Sequence, residues 1–91
     1  MKPIELARIA LQSAKPEVDA ILADLAVAAS QGTFSISRPE ITEATRERLD
    51  YKGFVTSYSN DRNAWAIDFG DCDDLNELHK AMDLEEAKAN P

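Results

Sequence analysis

Ninety-one residues carry 10 Lys and Arg against 17 Asp and Glu, a net charge of −7, which leaves room for one small acidic domain and excludes a strongly basic nucleic-acid or membrane-surface protein. A hydrophobic content of 44% beside 30% charged residues is globular usage, so disordered, collagen-like and low-complexity classes are excluded. No apolar run approaches the roughly 20 residues that cross a bilayer and no signal-peptide pattern opens the chain, so a soluble, cytoplasmic protein is expected.

The first apolar pattern runs over residues 3–14, where Ile4, Ala7, Leu11 and Ala14 recur at helical spacing and Leu6, Ile9 and Ala10 widen the face. Pro16 suits a first helical turn. A second helix over 16–31 follows from Val18, Ile21, Leu22, Leu25 and Ala29, with Gly32 as its stop; the stripe stays in phase across Pro16, so one kinked helix over 3–31 is the alternative.

Residues 33–37 alternate, with Phe34 and Ile36 on one face, and predict a short strand. Ser37-Arg38-Pro39-Glu40 has the form of a capping box, so a third helix is expected over 39–52, ending at Gly53. A hairpin follows. Its strands are 54–59 and 64–69, joined by the turn residues Asn60-Asp61-Arg62-Asn63, and Trp65, Ile67 and Phe69 share one strand face. After Gly70, Asp71, Asp73 and Asp74 stand where a helix N-terminus favours carboxylates, predicting a fourth helix over 73–87 whose stripe of Leu75, Leu78 and Met82 docks on the body.

The acidity sits at the C-terminal end. Residues 1–70 hold eight basic and ten acidic side chains, net −2, whereas residues 71–91 hold two basic and seven acidic, net −5.

Leu49-Asp50-Tyr51-Lys52-Gly53-Phe54-Val55, followed by a polar turn with Arg62 and an alternating strand, resembles the end of a recognition helix and the wing of a winged-helix domain. A full winged helix has two helices between its first strand and its wing, where this chain has room for one, so the reading is of a degenerate member. The run Ala28-Ala29-Ser30-Gln31-Gly32 leading to a strand, then Leu49-x-x-x-Gly53-Phe54-Val55 and a hairpin, also resembles small uncharacterised tailed-bacteriophage proteins. That resemblance implies a phage or prophage origin and action in a host cytoplasm.

The chemical inventory points away from catalysis. Cys72 and His79 are the only residues of their types, and seven helical residues place them about 10.5 Å apart along an axis, too far to share a proton. A lone cysteine forms neither an internal disulfide nor a four-thiolate metal site. Asp71, Asp73, Asp74 and Glu77 lack the loop order of a calcium-binding helix-loop-helix site, and Asp68 adds at most a weak divalent-cation site; helix capping and a solvated acidic face account for them. Three single glycines form no phosphate loop. No cofactor and no metal are expected.

The basic residues Arg38, Arg46, Arg48, Lys52 and Arg62 are the candidate nucleic-acid contacts of a winged-helix reading, but Glu40, Glu43, Glu47 and Asp50 outnumber the bases on the third helix. Tyr51, Phe54, Tyr58 and Trp65 read as hairpin core. The sequence therefore predicts an α+β domain in which a three-stranded antiparallel sheet, with 33–37 at one edge, is covered on one face by the N-terminal helices and followed by an acidic helix. Its expected function is a non-enzymatic interaction with a host protein, which it inhibits or redirects. The candidate partner-binding residues are Asp71, Asp73, Asp74, Glu77, Asp83, Glu85 and Glu86, and a homodimer or a host partner would cover the surplus apolar helix surface; a DNA-binding regulator is the alternative.

Overall fold

Pro16 decides how the N-terminal third is divided. In the computed structural model, which describes residues 1–70 and 74–89, helix α1 (Pro3–Ser13) and helix α2 (Lys15–Ser30) are separate, and Pro16 stands in the first turn of α2, where its missing N–H costs nothing. Ala14 is the joint. Its N–H donates to the carbonyls of Ala10 and Leu11 at 3.2 and 3.3 Å, while its own carbonyl accepts from Val18 at 2.9 Å. In α2, Val18, Ile21, Leu25 and Ala28 form the buried stripe, with Ala28 in the place expected of Ala29.

Helix α3 (Glu43–Tyr51) and α2 end in the same way. Gly32 and Gly53 have φ of +83° and +94°, a left-handed geometry that a side chain resists, and the next residue folds its N–H back to the helix: Thr33 to the Ala28 carbonyl and Phe54 to that of Leu49, each at 3.0 Å. These caps also set where the strands begin. Thr33 gives both its N–H and its hydroxyl to the Ala28 carbonyl, so β1 covers Ser35–Arg38 rather than 33–37. Phe54 is likewise spent on α3, so β2 is Val55–Ser59, and β3 is Ala64–Asp68.

The third helix starts four residues later than the sequence predicts. Ser37 lies in β1 opposite Ala66, so the Ser37–Glu40 capping box does not form. Thr42 caps instead: its Oγ1 accepts the Thr45 N–H at 3.2 Å and donates to the Thr45 hydroxyl at 2.9 Å, while Glu17 of α2 accepts the Thr42 N–H at 3.2 Å. Thr45 is fully buried, and this paired hydroxyl makes its burial tolerable.

The sheet is antiparallel with order β1-β3-β2, so the predicted edge position of β1 holds. Ile36 and Thr56 flank Ile67, and Arg38 and Tyr58 flank Trp65. This face meets α2 and α3. Ile21, Leu49 and Ile67, one from each layer, are at most 1% exposed and form the centre of the core, with Phe54 and Phe69 packed beside them. The other sheet face carries small side chains such as Ser37, Ser57 and Ala66. Among the described residues, only α2 and α3 cover the sheet. Helix α1, expected to share that role, packs on α3 and α2 instead.

Helix α4 (Leu75–Ala89) corrects the sequence reading twice. Its bounds lie two residues beyond the expected 73–87, and its stripe does not dock: among the described residues, α4 packs against no other element. The radius of gyration, 16.8 Å, exceeds the about 12 Å of a compact chain of this length, and the longest dimension is 63 Å. Leu78 and Met82 are about half exposed. An apolar stripe records that a face wants cover, and among the described residues no surface supplies it.

Candidate interaction groove

Helix α1 is the anomaly of the fold. None of its eleven residues is buried, although Ile4, Leu6 and Ile9 are 73%, 55% and 51% exposed and Leu11 is half-buried. At 3.6 residues per turn, Ile4, Ala7 and Leu11 lie along one side and Leu6 and Ile9 on the other, so a single packing surface cannot cover both.

The first side faces a groove of about 620 Å³ between α1, the start of α2 and the C-terminal end of α3. Ile4, Ala7, Leu11 and Val18 line its apolar part. Around them stand Arg8, Lys15, Arg48 and Lys52, against only two carboxylates, Glu5 and Asp19. Asp19 is held by Lys15 at 2.7 Å, and Glu5 turns back to accept the Lys2 N–H at 3.3 Å. An otherwise acidic chain therefore presents a groove with a basic rim.

The sequence-predicted bases are dispersed. Arg38 pairs with Asp24 of α2. Arg46 lies over the Trp65 ring, 4.7 Å from its centroid, and so faces the sheet. Arg48 lies 5.5 Å from the Tyr51 ring centroid and, with Lys52, enters the groove. Arg62 is exposed in the turn between β2 and β3. Only Arg48 and Lys52 come together. Tyr51, expected in the core, is 82% exposed, whereas Trp65 is half-buried and meets Tyr58 edge-on at 5.3 Å.

Among the predicted acidic contacts, Asp71 and Asp73 lie outside the described residues, as does Cys72. Asp74 accepts the Leu78 N–H through its carbonyl at 3.0 Å, and Glu77 stands 3.4 Å from Lys80. Asp83, Glu85 and Glu86 are exposed on α4. Glu85 and Glu86 follow Met82 at i+3 and i+4, so they extend the face that carries Leu78 and Met82. Asp68, the remaining candidate for a cation site, accepts the Gly70 N–H at 2.6 Å. Among the described residues, no three His, Cys, Asp or Glu side chains gather where they could hold a metal ion, and no helix is long and apolar enough to cross a membrane.

Sequence reasoning missed Arg8 and Lys15 as rim residues. Their signal was indirect: α1 has apolar residues on both sides, and the basic residues beside them acquire meaning only when α3 brings Arg48 and Lys52 across from them. Compared with protein-family models, curated proteins and solved structures, the chain matches none.

Proposed function

We propose that this chain is a small non-enzymatic interaction module that binds a protein partner over α1 and the adjoining groove. The uncovered α1 carries the reading. Apolar side chains on an ordered helix cost free energy in water, at about 25 cal/mol per Å² left exposed, and exposed apolar residues beside charged ones are the form of a protein-binding surface. The phage-like order of elements adds origin and target: a phage-encoded protein acting in the host cytoplasm, which inhibits or redirects a host protein. Capture from host lysate by the tagged full chain, compared with an Ile4→Lys, Ile9→Lys variant, tests this. Both positions are exposed, so the variant is expected to fold normally and lose the captured protein; equal capture by both chains would exclude α1 as the binding surface.

A degenerate winged-helix regulator is the second reading, favoured by the strand order β1-β3-β2 and by Arg62 in the hairpin turn. Against it, Arg46 is engaged with Trp65 and Arg38 with Asp24, which leaves few bases on one face.

A further inference from the structure

The groove and α4 are complementary in apolar character, charge and length. The groove is lined by the apolar Ile4, Ala7 and Leu11 and by the bases Arg8, Lys15, Arg48 and Lys52; α4 is apolar along Leu75, Leu78 and Met82 and acidic beyond them at Glu85 and Glu86. Between Asp74 and Glu86 the arm holds five carboxylates and one lysine, whereas the groove holds four bases and two carboxylates, of which Asp19 is paired with Lys15 and Glu5 accepts the Lys2 N–H, leaving Arg8, Arg48 and Lys52. The lengths agree as well. Leu75 to Glu86 rises about 16 Å, as does α1 from end to end. Among the described residues neither surface is covered within one chain, since α4 packs on no other element.

We propose that two copies of this chain associate about a two-fold axis, with α4 of each copy lying in the groove between α1, α2 and α3 of the other. The apolar stripe of α4 rests on Ile4 and Leu11, and its distal carboxylates meet Arg8, Arg48 and Lys52. A two-fold arrangement makes the contact twice, so each arm needs to bury only about half of the roughly 1,600 Å² typical of a specific complex. It is also closed: once both arms are seated, no groove is left to recruit a third chain. Leu6 and Ile9, on the far side of α1, stay outside this contact. The inference rests on the interaction reading above and names a second copy as the occupant of the groove, so that a host protein meets the far side of α1, at Leu6 and Ile9, or displaces the arm.

Sedimentation of the full chain with paired charge reversals tests it. Wild type is expected to sediment as a dimer that dissociates on dilution and more readily at high salt. Glu85→Lys, Glu86→Lys sets an arm with a basic distal end against a basic groove, and Arg48→Glu, Lys52→Glu an acidic arm against an acidic groove, so each variant alone should dimerise at least about tenfold more weakly. Mixed, they should recover a heterodimer in which both contacts are matched. Circular dichroism of each variant checks that the fold persists, and recovery on mixing also shows that both chains are folded. A wild type that remains monomeric at every concentration, or a dimer indifferent to both reversals, would overturn the proposal. So would variants that fail to recover on mixing. A monomeric wild type that still captures a host protein through Ile4 and Ile9 would remove the second copy as occupant and leave the interaction reading standing.

Discussion

The guanidinium of Arg46 lies 4.7 Å from the centroid of the Trp65 ring, and its Nε is buried without a hydrogen-bond partner. The ring face substitutes for the missing acceptor, joining α3 to β3 where the helix has turned away from the groove. Trp65→Ala should destabilise by about 2 kcal/mol, less than a fully buried aromatic because the side chain is partly exposed, and Arg46→Ala by about 1 kcal/mol. Denaturant unfolding of both single variants and the double variant should give a coupling of about 0.5–1 kcal/mol. Additive losses would show that the two side chains are merely adjacent.

Gly53 tests the cap that ends α3. A Cβ there would meet nothing within 4 Å, so the whole cost of Gly53→Ala is the left-handed backbone at φ +94°. About 1–2 kcal/mol of lost stability is expected, with Gly53→Asn losing less. Equal losses for alanine and asparagine would point to packing rather than backbone geometry.

Leu49 and Leu6 are the same residue type in opposite settings. Leu49→Ala removes a fully buried side chain at the centre of the core and should cost about 2–5 kcal/mol; Leu6→Ala, 55% exposed, should change stability by no more than about 0.5 kcal/mol. Thermal melts of the two variants check this contrast. A large loss from Leu6→Ala would mean that the outer side of α1 is covered in solution.

Binding of duplex DNA should stay in the non-specific range, about 10⁻⁴–10⁻⁶ M at physiological salt. Of the five candidate bases, two are engaged by Asp24 and Trp65 and two point into the groove, so no row of cations is presented to a phosphate backbone. A gel shift on random duplex at low and physiological salt measures it. Submicromolar binding with a steep salt dependence, lost in Arg46→Glu, Arg48→Glu, would establish the DNA-binding reading instead.

The parts of the fold that local chemistry decides were legible in the sequence. Gly32 and Gly53 marked helix ends because a left-handed residue is needed there, and the alternation of Trp65, Ile67 and Phe69 marked the strand face that meets the helices. What failed was competition between local signals and tertiary ones. Ser37 could cap a helix or pair with Ala66, and the strand pairing prevailed, leaving Thr42 and Thr45 to begin α3. The stripe of Leu75, Leu78 and Met82 was equally visible, yet periodicity gives only the orientation of an apolar face and never the surface that covers it. The groove was the least legible feature, since it unites Arg8 and Lys15 with Arg48 and Lys52 from distant stretches of the chain.

The central claim is that the α1 face and its groove form a contact surface, and methyl resonances of the full chain report on it directly. The methyl groups of Ile4 and Leu11 should shift as chain concentration rises, together with those of Leu78 and Met82, while Ile21 and Ile67 in the core stay fixed. If Ile4 and Leu11 stay as still as Ile21 on concentration and again on addition of a protein captured from host lysate, the groove is bare surface and the account fails.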